Sequence, residues 1–329
     1  MTRKSLFLFI IVFLAWCDTA LCQPVPANDE NIPFLVTFSK EAGTKWGDDD
    51  YCQTFFFSIP KDFKNPIYLR VFDPEIGGKN DEMNGEFNSS SKYSVYGGAG
   101  CISVEDARNV DPIGNFKSGN LLATKVFDNK SIYDNAWYTF GPFNPSEGEY
   151  SAQYGGYIFK IICEGIKGDD GNLYRYYMSS AADKNISVEG GNAFTFEYTF
   201  RLHSESGQVS HIYPYIDEKV ISLILYNFDW DNDGYIKLVS AVNPGELLKT
   251  SKESKWSESK YEIKTGERGK SLDIQFKKAL NVAGVNNNNV VFYVRNQYGE
   301  QMPFFTIPIG GVPKPRGQIA IKPQPSGKR

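Results

Sequence analysis

The sequence predicts an all-β protein made of two antiparallel β-sandwiches, jelly-roll-like in the N-terminal part and immunoglobulin-like in the C-terminal part. Three observations carry that expectation. Short runs of alternating apolar and polar residues recur along the chain. Clusters of Gly, Asn, Asp and Pro interrupt them about every ten residues, as in sandwiches. No window keeps an i, i+3, i+4 apolar pattern for three turns, so nothing reads as a long amphipathic helix.

The chain opens on Arg3 and Lys4, followed by an unbroken apolar run from Leu6 to Trp16 and small residues before Gln23. That is the plan of a secretory signal peptide, with Ala20 and Cys22 at the −3 and −1 positions of a cut after Cys22, and the run is too short to span a bilayer. Residues 1–22 are therefore expected to be a leader, and the mature chain to be secreted or extracytoplasmic, in a periplasm or at a cell surface. The formal net charge is −4, and loss of Arg3, Lys4 and Asp18 with the leader leaves the chain more acidic. Such a balance argues against nucleic acid as a partner. No second apolar run approaches membrane-span length.

In chain order, period-two alternation predicts strands at 53–59, 66–72, 137–141, 157–163 and 173–179. The clearest is AFTFEYTFRL, where Phe194, Phe196, Tyr198 and Phe200 face one way and Thr195, Glu197, Thr199 and Arg201 the other. Further strands follow at 219–228, 235–241, 271–277, 289–295 and 302–309. Turn chemistry predicts hairpins closing at Gly168–Asn172 and Asn296–Glu300. The polar run HSESGQVSH, between Leu202 and Ile212, reads as a boundary separating a sandwich over 23–205 from a second over 206–322. Residues 323–329 form a basic tail expected to be loose.

Three cysteines remain after the leader. Cys163 alternates with Tyr157, Phe159 and Ile161 and reads as a small buried hydrophobe, which leaves Cys52 and Cys101 as the expected disulfide pair in an oxidising compartment. Sequons at Asn88, Asn129 and Asn185 bear on the chain only where the glycosylation machinery exists.

Side-chain oxygens concentrate in three loops. One carries Asp73, Glu75 and Asp81; the next Asp169 and Asp170; the last, FDWDNDGYIKL, places Asp229, Asp231 and Asp233 two residues apart before Gly234. Alternate carboxylates in a tight turn suit Ca²⁺, which takes six to eight oxygen ligands, with the Tyr235 carbonyl as a further donor. Three acids crowded together also repel, by about 1 kcal/mol per pair even in water, a cost that a bound cation reverses. Up to Ile236 this segment resembles the first half of an EF-hand or dockerin-type calcium loop. It departs where a bidentate Glu belongs, because Ser240 stands there, and both flanks read as strands. The expectation is thus a β-hairpin tip whose acids hold Ca²⁺ with help from elsewhere; the alternative is plain Asn-Asp-Gly turn chemistry.

Catalytic motifs are absent. His203 and His211 are the only histidines and both fall in the expected linker; no GxSxG, HExxH or P-loop occurs. A carboxylate-pair glycosidase needs no local motif, and Glu164, Glu197 and Asp217 are available to one. Trp256, alone in a polar stretch, and Tyr174, Tyr176 and Tyr177 are candidate sugar-stacking rings. The leading expectation is an exported, non-catalytic protein with calcium-stabilised loops that binds protein or glycan at a cell surface, in adhesion, surface assembly or binding. A carbohydrate-binding module or glycosidase is the alternative.

Overall fold

The computed structural model describes residues 24–230, 234–279 and 288–314. Among these residues nearly all regular structure is antiparallel strand, numbered here in chain order, with only short 3₁₀ turns besides. No helix among the described residues is long and apolar enough to cross a membrane.

The eight-stranded sheet runs, edge to edge, β17 (Trp256–Glu262), β14 (Ser222–Phe228), β20 (Asn289–Asn296), β11 (Glu197–Arg201), β1 (Phe34–Thr37), β9 (Asn172–Ser179), β3 (Ile67–Phe72) and β6 (Trp137–Phe143). A seven-stranded sheet runs β21 (Phe304–Phe305), β10 (Asn192–Thr195), β2 (Cys52–Pro60), β8 (Gly156–Lys167), β4 (Ser90–Gly97) and β5 (Asn120–Phe127), with β7 (Glu149–Ser151) also on β8. A four-stranded sheet orders β12 (Val209–Ile212), β19 (Asp273–Lys278), β15 (Gly234–Val239) and β16 (Glu246–Leu248), and β13 (Tyr215–Ile216) pairs with β18 (Lys270–Ser271).

Aromatic side chains set the layers. Phe55 and Phe57 of β2 and Tyr93 of β4 meet Tyr176 of β9 edge to face, so the seven-stranded sheet covers one end of the long sheet. Phe276 of β19 meets Phe200 of β11 and Phe292 of β20, so the four-stranded sheet covers the other. Such edge-to-face pairs favour this arrangement beyond the area they bury. One apolar core runs through both regions. The long sheet crosses the expected boundary at 205/206, because β11 pairs with β20 along five residue pairs from Glu197↔Tyr293 to Arg201↔Asn289. The stretch read as a linker contains strand β12, whose His211 Nδ1 lies 2.8 Å from Asp273 Oδ1.

Two local expectations are corrected. AFTFEYTFRL is not one strand: β10 lies in the seven-stranded sheet and β11 in the eight-stranded one, with the switch at Phe196. Residues of both parities are consequently buried there, Thr195 and Thr199 as well as Phe194 and Tyr198. The segment 164–177 is not a hairpin either, since β8 and β9 belong to facing sheets. The turn at Asn296–Glu300 is a hairpin turn as expected: the Asn296 N–H donates to the Glu300 carbonyl and Met302 N–H to that of Val294.

Cys52 and Cys101 gather in one small apolar cluster with Tyr96 and Ile162, yet both are free thiols, as is Cys163. The expected disulfide is therefore not formed; the Cys101 thiol donates to the Tyr96 carbonyl instead, at 3.6 Å.

Candidate metal centre

All three acidic loops carry the chain from one sheet to another. The first joins β3 to β4, the second β8 to β9 and the third β14 to β15, each leaving one sheet and entering a different one. FDWDNDG is thus a crossing and not a hairpin tip. The crossings after β3 and β14 begin alike, each with an aspartate directly after a strand-ending Phe. Asp73 and Asp229 are both buried, and both have a φ of +56°, a left-handed conformation that Asp tolerates better than most residues.

Of the third loop, Asp231 and Asp233 lie outside the described residues. The Asp229 Oδ1 accepts the Ser254 N–H at 2.5 Å, and Trp230 buries its ring beside Phe276, 5.5 Å between centroids. Gly234 is already in β15, where a Cβ would stand 2.0 Å from the Lys277 carbonyl oxygen; close approach of β19 explains this glycine. Tyr235 is exposed under the Lys277 ammonium. Ser240, at the place of the missing Glu, organises the next turn: its hydroxyl donates to Glu267 Oε1 and accepts the Asn243 N–H.

In the second loop, Asp170 is a knot of hydrogen bonds. Its oxygens accept the Asn84 N–H at 2.8 Å, the Asn88 N–H at 3.0 Å and the Ser89 hydroxyl at 2.8 Å. Asp169 accepts the Asn84 side-chain amide. Asp81 reaches back in the same manner, taking the Gly77 and Leu173 N–H groups at 2.7 Å each. These three acids tie the first two loops together with protein donors.

Asp73 and Glu75 differ. They converge with Asp134, from the segment before β6, so that one oxygen from each lies within 4.8 Å of the other two. Ligands 2.3–2.6 Å from a Ca²⁺ stand up to about 5 Å apart across the ion, so this spacing fits one. The Asp73 Oδ1 accepts the Asn135 N–H and Oδ2 the Asn80 side-chain amide. Glu75 is only 1% exposed, and neither of its carboxylate oxygens has a hydrogen-bond partner. A buried carboxylate without a donor is costly. Burial first, then the charges of Asp73, Asp134 and Asp128, push its pKa up to about 7. Burial also raises that of Asp73, against its two hydrogen bonds and the pull of Arg175. The Arg175 guanidinium makes no salt bridge to the cluster; it lies over Phe34 and Phe72, with Nε unpartnered. Gly77 and Gly78 run close against the cluster. A Cβ on Gly78 would come 2.3 Å from Asp134 Oδ1, and one on Gly77 3.0 Å from Glu75 Oε2. Asp134 was missed in the sequence because SIYDNAW carries no acidic pattern; only the fold brings it to Asp73.

The ring candidates separate. Tyr174 and Tyr176 are core residues, because β9 is central in the long sheet and turns them toward the seven-stranded sheet. Tyr177 points to the other face, where it meets Trp137. Trp256 is 39% exposed at the start of β17, 5.1 Å from the Tyr293 ring, which stacks on Tyr226 at 4.5 Å under the Arg295 guanidinium. Sequence reading missed Tyr226 and Tyr293, whose strands gave no sign of being neighbours. Among the acids suited to a glycosidase, Glu164 is held by Lys92 at 2.8 Å and Lys117 at 2.6 Å, and Asp217 accepts the Lys219 N–H. No protein-family model matches the chain, and no curated protein matches it.

Proposed function

We propose that this is an exported, non-catalytic binding protein of the β-sandwich type whose sheet crossings are clamped by Ca²⁺, working in adhesion or surface assembly. The observation that carries the proposal is the Glu75 carboxylate, buried without a donor and facing Asp73 and Asp134. An oxygen-preferring cation supplies the charge that this arrangement lacks, and an extracellular concentration near 10⁻³ M suffices for a structural module. In this reading the part covered by the seven-stranded sheet is the jelly-roll-like sandwich and the part covered by the four-stranded sheet the immunoglobulin-like one, fused through the long sheet. The test is thermal melting of the desalted protein in millimolar Ca²⁺ and in chelator. A higher melting temperature with Ca²⁺, lost in Glu75→Gln, supports the clamp; identical curves sink it.

A second reading, a glycan-binding face, is favoured by the half-exposed Trp256 beside Tyr293 and Tyr226. Flat rings grouped on one sheet face supply stacking area for a sugar. An oligosaccharide that raises the melting temperature of the wild-type chain and not of Trp256→Ala would establish it.

A further inference from the structure

A second group of acids lies at the point where β10 becomes β11. Glu197 is the first residue of β11, and Asp48, Asp49 and Asp50 precede β2. One oxygen each from Asp49, Asp50 and Glu197 lies within 4.8 Å of the other two. The sheet switch at Phe196 breaks the alternation, and Glu197 ends 8% exposed with its carboxylate turned toward the Asp49–Asp50 segment. Among the described residues, no hydrogen bond and no salt bridge reaches that carboxylate, whereas the backbone of Glu197 is fully engaged by Thr195. The Asp49 Oδ1 is also buried without a donor.

The neighbours of the pair are spent in different ways. The Asp48 oxygens accept the Phe38 and Asp50 N–H groups, and Asp50 Oδ1 accepts the Cys52 N–H at 2.7 Å. These bonds fix the loop and leave Asp49 and Glu197 oxygens facing each other. Positive charge is close but does not reach them: Lys40 sits over the Tyr51 ring at 3.9 Å, and Arg108, which lines a water-sized cavity with Glu197, leaves its Nε unpartnered. Burial, followed by the charges of Asp49, Asp50, Asp48 and Asp111, raises the Glu197 pKa well above the carboxylate range. A surface pocket of about 470 Å³ is lined by Asp48, Asp49, Asp50 and Asp111, on the aspartate side of the group.

We infer that Asp49, Asp50 and Glu197 form a second site for a divalent, oxygen-preferring cation, which pins the strand where it passes from the seven-stranded to the eight-stranded sheet. The site shares no residue with the Asp73–Glu75–Asp134 cluster, so either can stand without the other. Glu197 is directly across from Tyr293 in the β11–β20 register, which places a light-absorbing ring on the same sheet face as the ion.

The experiment is calorimetric titration of the chelator-stripped full chain with CaCl₂, with Tb³⁺ luminescence under tyrosine excitation as a second readout. Glu197→Gln, with circular dichroism matching the parent, is expected to weaken one class of Ca²⁺ binding at least about tenfold, since affinity follows ligand charge. It is also expected to reduce the sensitised Tb³⁺ signal and leave the Glu75-dependent class intact. Asp49→Asn serves as the second variant and gives the same result should Glu197→Gln fail to fold. A folded variant of either kind that titrates like the parent overturns the inference. Loss of binding in Glu75→Gln alone would spare the first site and reject this one; loss in the Glu197 and Asp49 variants alone would do the reverse.

Discussion

Replacing Glu75 by Gln asks whether a buried charge is waiting for a cation. At neutral and higher pH, without divalent ions, the folded protein must hold this carboxylate ionised beside Asp73 and Asp134 or protonate it. Its pKa rises from 4.5 to about 7 on folding. Each unit of such a shift corresponds to about 1.4 kcal/mol, so at pH 8 the ionised group costs the fold about 3 kcal/mol. Glutamine keeps the shape, removes the charge and offers an N–H₂ to the two aspartates. Glu75→Gln should therefore stabilise the chelated protein by up to about 3 kcal/mol. For a chain of this size that is a rise on the order of 5 °C in melting temperature. The same variant should lose the stabilisation by Ca²⁺ that the parent gains. Differential scanning calorimetry at pH 8, in chelator and in millimolar Ca²⁺, reads both effects. A Glu75→Gln protein that is less stable than the parent in chelator would refute the reasoning, because it would show that the carboxylate already has a favourable partner.

Other outcomes follow from the same structure. Because the Glu75 pKa is raised in the folded state, its contribution in chelator falls as pH rises from about 4.5 through about 7. Ca²⁺ must displace the proton, so its stabilising effect should be small at pH 5 and large at pH 8, as melting curves at both values will show. Asp170→Ala removes the acceptor for the Asn84 and Asn88 N–H groups and the Ser89 hydroxyl and should cost about 3 kcal/mol in urea unfolding, equally with Ca²⁺ and chelator. Gly234→Ala forces a Cβ against the Lys277 carbonyl and should cost roughly 1–3 kcal/mol, again without regard to Ca²⁺. An effect of Gly234→Ala seen only with Ca²⁺ would return this glycine to a metal loop.

Strand content was legible because period-two alternation survives in any sheet. Phe55, Phe57, Phe159, Ile161, Tyr174 and Tyr176 all face the core as their spacing requires. Which strands pair was not legible, since pairing depends on partners far along the chain. β17 was hidden in WSESKYE, an edge strand whose alternation is mostly polar, and β12 in a segment too short and hydrophilic to show a pattern. At AFTFEYTFRL the pattern was real but misled, because a strand that changes sheets at Phe196 keeps its alternation in sequence and loses it in space. Acid positions were legible as a set. Their division between protein donors and a candidate cation was not, because it turns on whether a backbone N–H happens to face each oxygen.

That division follows the mechanics of the crossings. A chain leaving one sheet for the facing one gives up its ladder hydrogen bonds, and the freed N–H groups must find acceptors. Asp81 and Asp170 meet that need for Gly77, Asn84, Asn88 and Leu173, and Asp229 does so for Ser254. Acids in these loops are thus first of all backbone acceptors, and a carboxylate count alone is a poor guide to a metal. Glu75 and Glu197 stand apart because they sit among such acids, are buried, and have carboxylates that accept no hydrogen bond from the described residues. Beside Glu75 the Asp73 and Asp134 carboxylates, and beside Glu197 those of Asp48 and Asp50, are held by the bonds they accept, so that a cation entering at either place meets oxygens already in position. Binding then requires little reordering of the loop, the condition under which a site of few ligands can still hold Ca²⁺ outside the cell.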